Sequence, residues 1–427
     1  MTDTDHSAVI RKVERRLIPF MGLLYFVAFL DRVNVGYAAL TMNEDIGLSA
    51  SAYGFGAGIF FIGYFLFEVP SNLILERVGA RRWIARIMIS WGVVSAATAF
   101  VTGPISFYIV RFLLGVAEAG FFPGMILYLT YWFPASVRAT ITSRFLVAVP
   151  LASVVGAPIS TALLDTSIFG LAGWRTLFVV EALPAIVLGV VTALWLTDRP
   201  SKAAWLTEAD RTTLERALDA ERHAAPQGHR LRDGLLSGRV WLLAAIYFGL
   251  VLGLYGLGFW GPQIVGAFGD LTNMEVGLLT AIPYAVAAVA MVAWGGHSDR
   301  VRERVWHVAL PLLLGAAGFL ASARTDAPVL SLAALTMAAV GIYGAFAVFW
   351  TLPTAALAGT AAAGGIALIN SIGNLSGYLG PVVVGRLRDS TGGYAAGLLF
   401  LSGSMAAAGL LVLRFRTGMR TPAPAPR

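Results

Sequence analysis

Apolar runs long enough to cross a membrane recur about twelve times along the 427-residue chain, and no other feature restricts its fold as strongly. A helix needs roughly 20 such residues to cross a hydrocarbon layer of ~30 Å. Lipid offers no hydrogen-bond partner to bare backbone, so the runs read as helices that satisfy their own amide groups. With 57% hydrophobic and 13% charged residues, the chain has too little polar surface to cover a soluble globule. The expected fold class is an all-α membrane protein.

The runs begin near Leu17, Tyr53, Trp83, Ile105, Ala139, Arg175, Val240, Met274, Trp306, Pro328, Gly364 and Tyr394. Between Thr197 and Val240 the hydrophobicity collapses, and eight of the 31 Lys and Arg residues fall in this polar stretch. It splits twelve transmembrane helices six and six. The expected organisation is a cytoplasmic tail (1–16), a six-helix bundle (17–197), a cytoplasmic linker (198–239), a second six-helix bundle (240–414) and a second cytoplasmic tail (415–427). Within the linker, Leu214, Ala217 and Leu218 recur at helical spacing behind Thr207, which predicts a short surface helix capped by Thr207.

Basic residues fall mostly on one side of this topology. Arg11, Lys12, Arg15, Arg16, Arg77, Arg81, Arg82, Arg86, Arg138, Arg144, Arg300, Arg302, Arg304, Arg414, Arg416 and Arg420 share a face with the linker. The opposite face receives Arg175, Arg324, Arg386 and Arg388. The positive-inside rule then puts both termini in the cytoplasm. It also accounts for the net charge of +7 without a nucleic-acid partner. The first apolar run has the length of a span and no small-residue cleavage site, so it is expected to stay as an anchor. The absence of cysteine excludes disulfides and thiolate metal sites.

Four ionisable residues interrupt the apolar runs of the first half: Asp31 and Arg32 in LIPFMGLLYFVAFLDRVNVGYAAL, and Arg111 and Glu118 in ISFYIVRFLLGVAEAGFFPGMILYLTY. At roughly 3 kcal/mol each on insertion scales, they need about 10 kcal/mol of compensation. Such groups usually face a wet cavity and handle ions or substrate. Arg111 and Glu118 are two helical turns apart, about 10.5 Å, so they share a face without reaching each other and must look to the first span for opposite charges. Arg32 and Arg111 suit a carboxylate, because a guanidinium binds two oxygens at once and keeps its charge on burial. The competing reading is structural, a buried salt-bridge network that holds helices together.

Other polar residues are duller or neutral. Glu68 and Glu181 lie toward span ends and are expected to hydrogen-bond there, while the histidines fall in tails, loops or span ends. The second half has no ionisable residue inside its spans, so it would recognise substrate through neutral groups such as Trp350 and Asn374, joined from the first half by Tyr64. No phosphate-binding loop, metal-ligand cluster or nucleophile with its base is present, so neither an enzyme nor a cofactor is expected.

The halves echo each other after their second spans. ERVGARR contains Glu76, Arg77 and Arg81, and GGHSDRVRER places Asp299, Arg300 and Arg304 at matching offsets. An acid and several arginines at helix ends can latch one conformation, and the recurrence indicates a duplicated six-helix unit.

These paired loops resemble the signature of the major facilitator superfamily. Together LDRVNVGYA, FEVPSNLILERVGARRW, RFLLGVAEAGFFPGMILYLTYWFP and FWTLPTAALAGTAAAGGIALINSIGNLSGYLGP are similar to its anion:cation symporter family, most of all to bacterial tartrate-type transporters. The resemblance covers nearly the whole chain. It implies two pseudo-symmetric six-helix bundles in the cell inner membrane, a monomer, and import of a small organic anion with protons. It also implies substrate contact at Arg32 and proton handling at Asp31 and Glu118. Tartrate or a related hydroxy-carboxylate is the favoured substrate. Sugar acids and aromatic carboxylates are alternatives, as is a transporter-like anion receptor without net flux.

Overall fold

The computed structural model describes residues 3–168, 170–224, 237–356 and 359–414, and all regular structure among them is helical. The first half holds α1 (Asp3–Asp45), α2 (Ala50–Val78), α3 (Ala80–Ala97), α4 (Pro104–Glu118), α5 (Phe121–Trp132), α6 (Ala135–Leu146), α7 (Ala148–Leu164) and α8 (Gly173–Trp195). The polar helix α9 (Glu208–Ala224) follows. The second half holds α10 (Gly238–Gly266), α11 (Asn273–Val301), α12 (Val305–Ser322), α13 (Pro328–Phe349), α14 (Thr351–Ala356), α15 (Gly359–Thr391) and α16 (Ala395–Arg414).

Among the described residues, eleven spans are long and apolar enough to cross a membrane, and α7 is a shorter apolar helix in the place of the fifth. Three of the expected continuous helices are built from two pieces. The fourth span breaks between α4 and α5, directly after Glu118, where Gly120 has φ 82° and a methyl group would collide with the Ser71 side chain. The left-handed backbone costs glycine little, so the break is written into the sequence at that position. The fifth span turns at Val147, between α6 and α7, and the tenth at Trp350, between α13 and α14.

The described helices form two compact units: α1 to α9 together with Phe259–Ala281, and the remaining segments of the second half. In the first unit α2 packs closely on α4, and α3 on α8. Gly115 permits the first contact, because a methyl there would overlap the Phe60 carbonyl. The linker helix also belongs to this unit. Thr207 Oγ1 accepts the Asp210 amide at 3.2 Å as expected of its cap, Leu214 and Leu218 are buried, and Lys12 pairs with Asp210 at 2.7 Å. In the second unit α12 packs on α13 and α16, with Met405 against Gly315 and Gly253.

Candidate functional site

Successive residues of a helix are turned by about 100°, so the neighbours Asp31 and Arg32 serve different partners. Asp31 faces α3. Its Oδ2 accepts Trp91 Nε1 at 2.6 Å, and its Oδ1 accepts Ser95 Oγ at 2.7 Å and Asn34 Nδ2 at 3.1 Å. Three donors on two oxygens are the complement of an ionised carboxylate. Arg32 faces the end of α4, where its Nη2 forms an ion pair with Glu118 Oε1. Tyr64 and Phe60 flank it, with ring centroids 5.3 and 5.5 Å from the guanidinium carbon.

Arg111 completes the cluster in a different way. Its guanidinium carbon lies 5.2 Å from the same Phe60 ring, and its Nη2 is 3.4 Å from the Ala57 carbonyl. Nε and Nη1 are buried without a hydrogen bond, and the Asp31 carboxylate acts on the guanidinium only through space. The whole cluster is enclosed: Asp31 is 2% exposed, Arg32 7%, Arg111 0% and Glu118 1%. Desolvated donors without an acceptor are costly, and a carboxylate ligand would supply what Arg111 lacks.

The two-turn spacing of Arg111 and Glu118 predicts a partner for each on the first span. Glu118 has one in Arg32, whereas Arg111 has no ion pair among the described residues. Trp91, Ser95, Asn34 and Phe60 were not anticipated. Trp91 and Ser95 are one helical turn apart on α3, a pairing that a search for polar neighbours at that spacing could have found. Glu181 departs from its expected place at a span end. It lies inside α8, and its Oε1 accepts Ser160 Oγ of α7 at 2.6 Å. Glu68 is likewise buried within α2.

In the second unit, Trp350 is half-buried at the turn after α13 and meets the ring of Tyr247 edge-on at 4.9 Å. Asn374 on α15 keeps 9% of its surface. The loop residues divide unevenly. Arg304 pairs with Asp299 at 2.7 Å and donates to Ser298 Oγ at 2.8 Å, while Arg300 Nε donates to the Gly296 carbonyl. In the first unit Glu76 and Arg77 are exposed, and the acid that engages the loop is Asp198, whose Oδ1 accepts the Arg81 backbone amide at 2.8 Å. Both Asp198 and its counterpart Glu303, which accepts the Trp306 and His307 amides, cap the helix that follows the loop.

A family model described as Major Facilitator Superfamily matches residues 21–381. A protein of Agrobacterium vitis that carries a provisional name as a tartrate transporter is 53% identical over 415 residues, covering 97% of this chain and 92% of that protein. A quinolone resistance transporter of Acinetobacter baumannii is 45% identical over 402 residues, 92% of each chain. Among solved structures, the xylose transporter of Escherichia coli in a partially occluded inward open conformation aligns with a TM-score of 0.75 at 14% identity, covering 97% of this chain and 100% of that one.

Proposed function

The chain belongs to the Major Facilitator Superfamily, as a multi-pass membrane transporter and not an enzyme, and we propose that it imports a small organic anion together with protons by alternating access between two six-helix bundles. The carrying observation is the unequal state of the two buried guanidiniums: Arg32 is held by Glu118, and Arg111 has two nitrogens without an acceptor. Arg111 is the first receptor for the anion. A proton arriving at Glu118 cancels the charge that holds Arg32, which is then free for the same substrate. An anion on Arg111 also takes up positive charge that otherwise supports ionised Asp31, so the arrival of substrate and of a proton at Asp31 favour each other. Loss of the substrate and protons on the inner side restores the Arg32–Glu118 pair and the empty carrier returns.

Two guanidiniums beside one Phe60 ring suit a ligand with two carboxylates, which supports tartrate or a related hydroxy-dicarboxylate, as does the name of the Agrobacterium relative. Tyr64 lines the Arg32 side. Trp350 and Asn374 are the proposed contacts from the second half, and Glu76, Arg77, Arg81, Asp299, Arg300 and Arg304 the proposed latch. A monomer in the cell inner membrane with both termini cytoplasmic completes the proposal, with domain limits as the polar linker draws them.

Uptake of labelled tartrate into proteoliposomes tests it. Accumulation that needs an inwardly directed proton gradient and collapses with a protonophore is the expected result. Equal uptake without the gradient would remove proton coupling, and binding without uptake would make the protein a receptor. Competition by hexonates, aromatic acids or a quinolone, but not by tartrate analogues, would reassign the substrate.

A further inference from the structure

Glu181 is a buried carboxyl that the transport cycle above does not use. It is 3% exposed; Ser160 Oγ donates to its Oε1, and its Oε2 is buried with no hydrogen bond. Asn34, one turn along α1 from Asp31, presents the complementary defect. Its Nδ2 donates to Asp31 Oδ1, its Oδ1 is buried with no hydrogen bond, and its amide acts on Glu181 as well. One carboxyl oxygen on α8 and one amide oxygen on α1 are thus both acceptors and both bare, on helices that pack against each other and against α7.

Among the described residues, no cation is placed to offset the charge that an ionised Glu181 would bring. From α1 it faces Asp31, of like sign, and Asn34. The α7 helix that supplies Ser160 contains no ionisable residue, and neither does the short 3-10 segment Thr98–Phe100 beside α8. On α3 the cations are Arg81, Arg82 and Arg86, at its start, whereas the α3 residue that meets Ala182 is Gly92. Six residues separate Arg86 from Gly92, about 9 Å along the axis. On α8 itself Arg175 is committed to the Ala99 carbonyl and to Asp45. A bare carboxylate oxygen in such a place is far more costly than a neutral acid.

We propose that Glu181 is a proton-binding site joined to Asp31 through the Asn34 amide. With Asp31 ionised, the Glu181 carboxyl carries a proton on Oε2 and donates it to Asn34 Oδ1, which fills both empty acceptors with one hydrogen bond. If Asp31 receives a proton, rotation of the Asn34 amide turns its Nδ2 toward Glu181 and its Oδ1 toward the Asp31 hydroxyl. Glu181 can then give up its own proton. The amide thus reports to each carboxyl the protonation state of the other. This deepens the proton-coupled reading by adding a third exchangeable carboxyl to Asp31 and Glu118.

Infrared difference spectroscopy of the full-length protein in lipid, without substrate, tests the site separately from transport. The wild type is expected to show a carboxylic-acid carbonyl band at neutral pH that is lost in Glu181→Gln, perturbed in Ser160→Ala, and displaced in its pH dependence by Asp31→Asn. A neutral-acid band of unchanged intensity in Glu181→Gln would overturn the proposal, and so would a Glu181 band indifferent to both Asp31→Asn and Asn34→Ala. Should Glu181→Gln fail to fold, the Ser160→Ala and Asn34→Ala comparisons still decide it. If the band behaves as expected in a protein that shows no proton-driven uptake, the symport reading fails while the site stands.

Discussion

On the proposed cycle, a single proton at Glu118 decides whether Arg32 is free. Arg32→Ala is a poor probe of this, because removing one partner of a buried pair leaves the other charge stranded at a cost of about 3–5 kcal/mol. Glu118→Gln keeps a hydrogen bond to the guanidinium without its countercharge. Tartrate counterflow is expected to survive in Glu118→Gln while the proton gradient ceases to drive accumulation; retained gradient-driven accumulation would exclude Glu118 from coupling. At Arg111 the informative change is to Lys, which keeps the charge and loses the fork. Affinity is expected to fall about tenfold in Arg111→Lys, equivalent to roughly 1.4 kcal/mol, in an equilibrium binding titration. The identities of these charges were legible in the sequence, since an ionisable residue in an apolar run has few uses, and the spacing of Arg111 and Glu118 pointed Glu118 toward Arg32. The donors around Asp31 were legible only in part: Asn34 lies one turn away on the same helix and Trp91 and Ser95 share a face of α3, but the direction in which that face turns is set by packing alone.

At the level of elements, close approach and capping carry the sequence into structure. Gly115 sits where α4 crosses α2, against the Phe60 carbonyl and the Tyr64 amide. A Gly115→Ala methyl must push the helices apart and drag Phe60 and Tyr64 away from the arginines. Overpacking of this kind costs about 1–3 kcal/mol, so a lowered melting temperature in detergent with weakened tartrate binding is expected. Gly403→Ala on α16, where nothing lies within 4 Å, serves as the control and is expected to melt no lower than wild type. Glu303 gives a pH-dependent case outside the spans. Partial burial works against its charged form, but the Trp306 and His307 amides and the His307 ring outweigh this and hold its pKa below the usual carboxylate value. A folded-state pKa below the unfolded one means stabilisation that is fully present above the ordinary carboxylate range and is lost as the pH falls through the folded-state value. Glu303→Gln is therefore expected to melt lower than wild type at neutral pH, with a gap that closes on acidification; a gap independent of pH would remove charge from the cap. Hydropathy located the spans, and the Thr207 cap of α9 was legible from its side chain. The break after Glu118 was missed, because AEAGFF reads as uninterrupted helix until Gly120 is seen to need a left-handed backbone against Ser71.

Across the whole molecule, the duplicated loops and the polar linker describe a chain of two equal halves, whereas contacts group Phe259–Ala281 with the first unit. The Tyr53 hydroxyl lies 3.1 Å from the Phe259 carbonyl, Asn43 Nδ2 donates to Gln263 Oε1 at 3.4 Å, and Asn273 Nδ2 donates to Asp165 Oδ1 at 2.7 Å. Tyr53 also meets Trp260 edge-on at 5.1 Å, and Gly277 packs directly on Thr161. Nothing in the hydropathy of the seventh and eighth spans marks this segment, since Asn, Gln and Gly near span ends are ordinary; only its partners make it distinctive. Each such hydrogen bond contributes about 1 kcal/mol, and the apolar contacts around Trp260 add to that. A chain severed in the linker between Ala224 and Ser237 and expressed as two fragments is therefore expected to co-purify through an affinity tag on either one, because the second fragment brings Phe259–Ala281 to the first. Gly277→Leu, whose side chain would have to occupy the space of Thr161, is expected to abolish recovery of the pair while the uncut Gly277→Leu chain is still made. Failure of the wild-type fragments to co-purify, with both present in the membrane, would show that the covalent link and not this segment keeps the halves together.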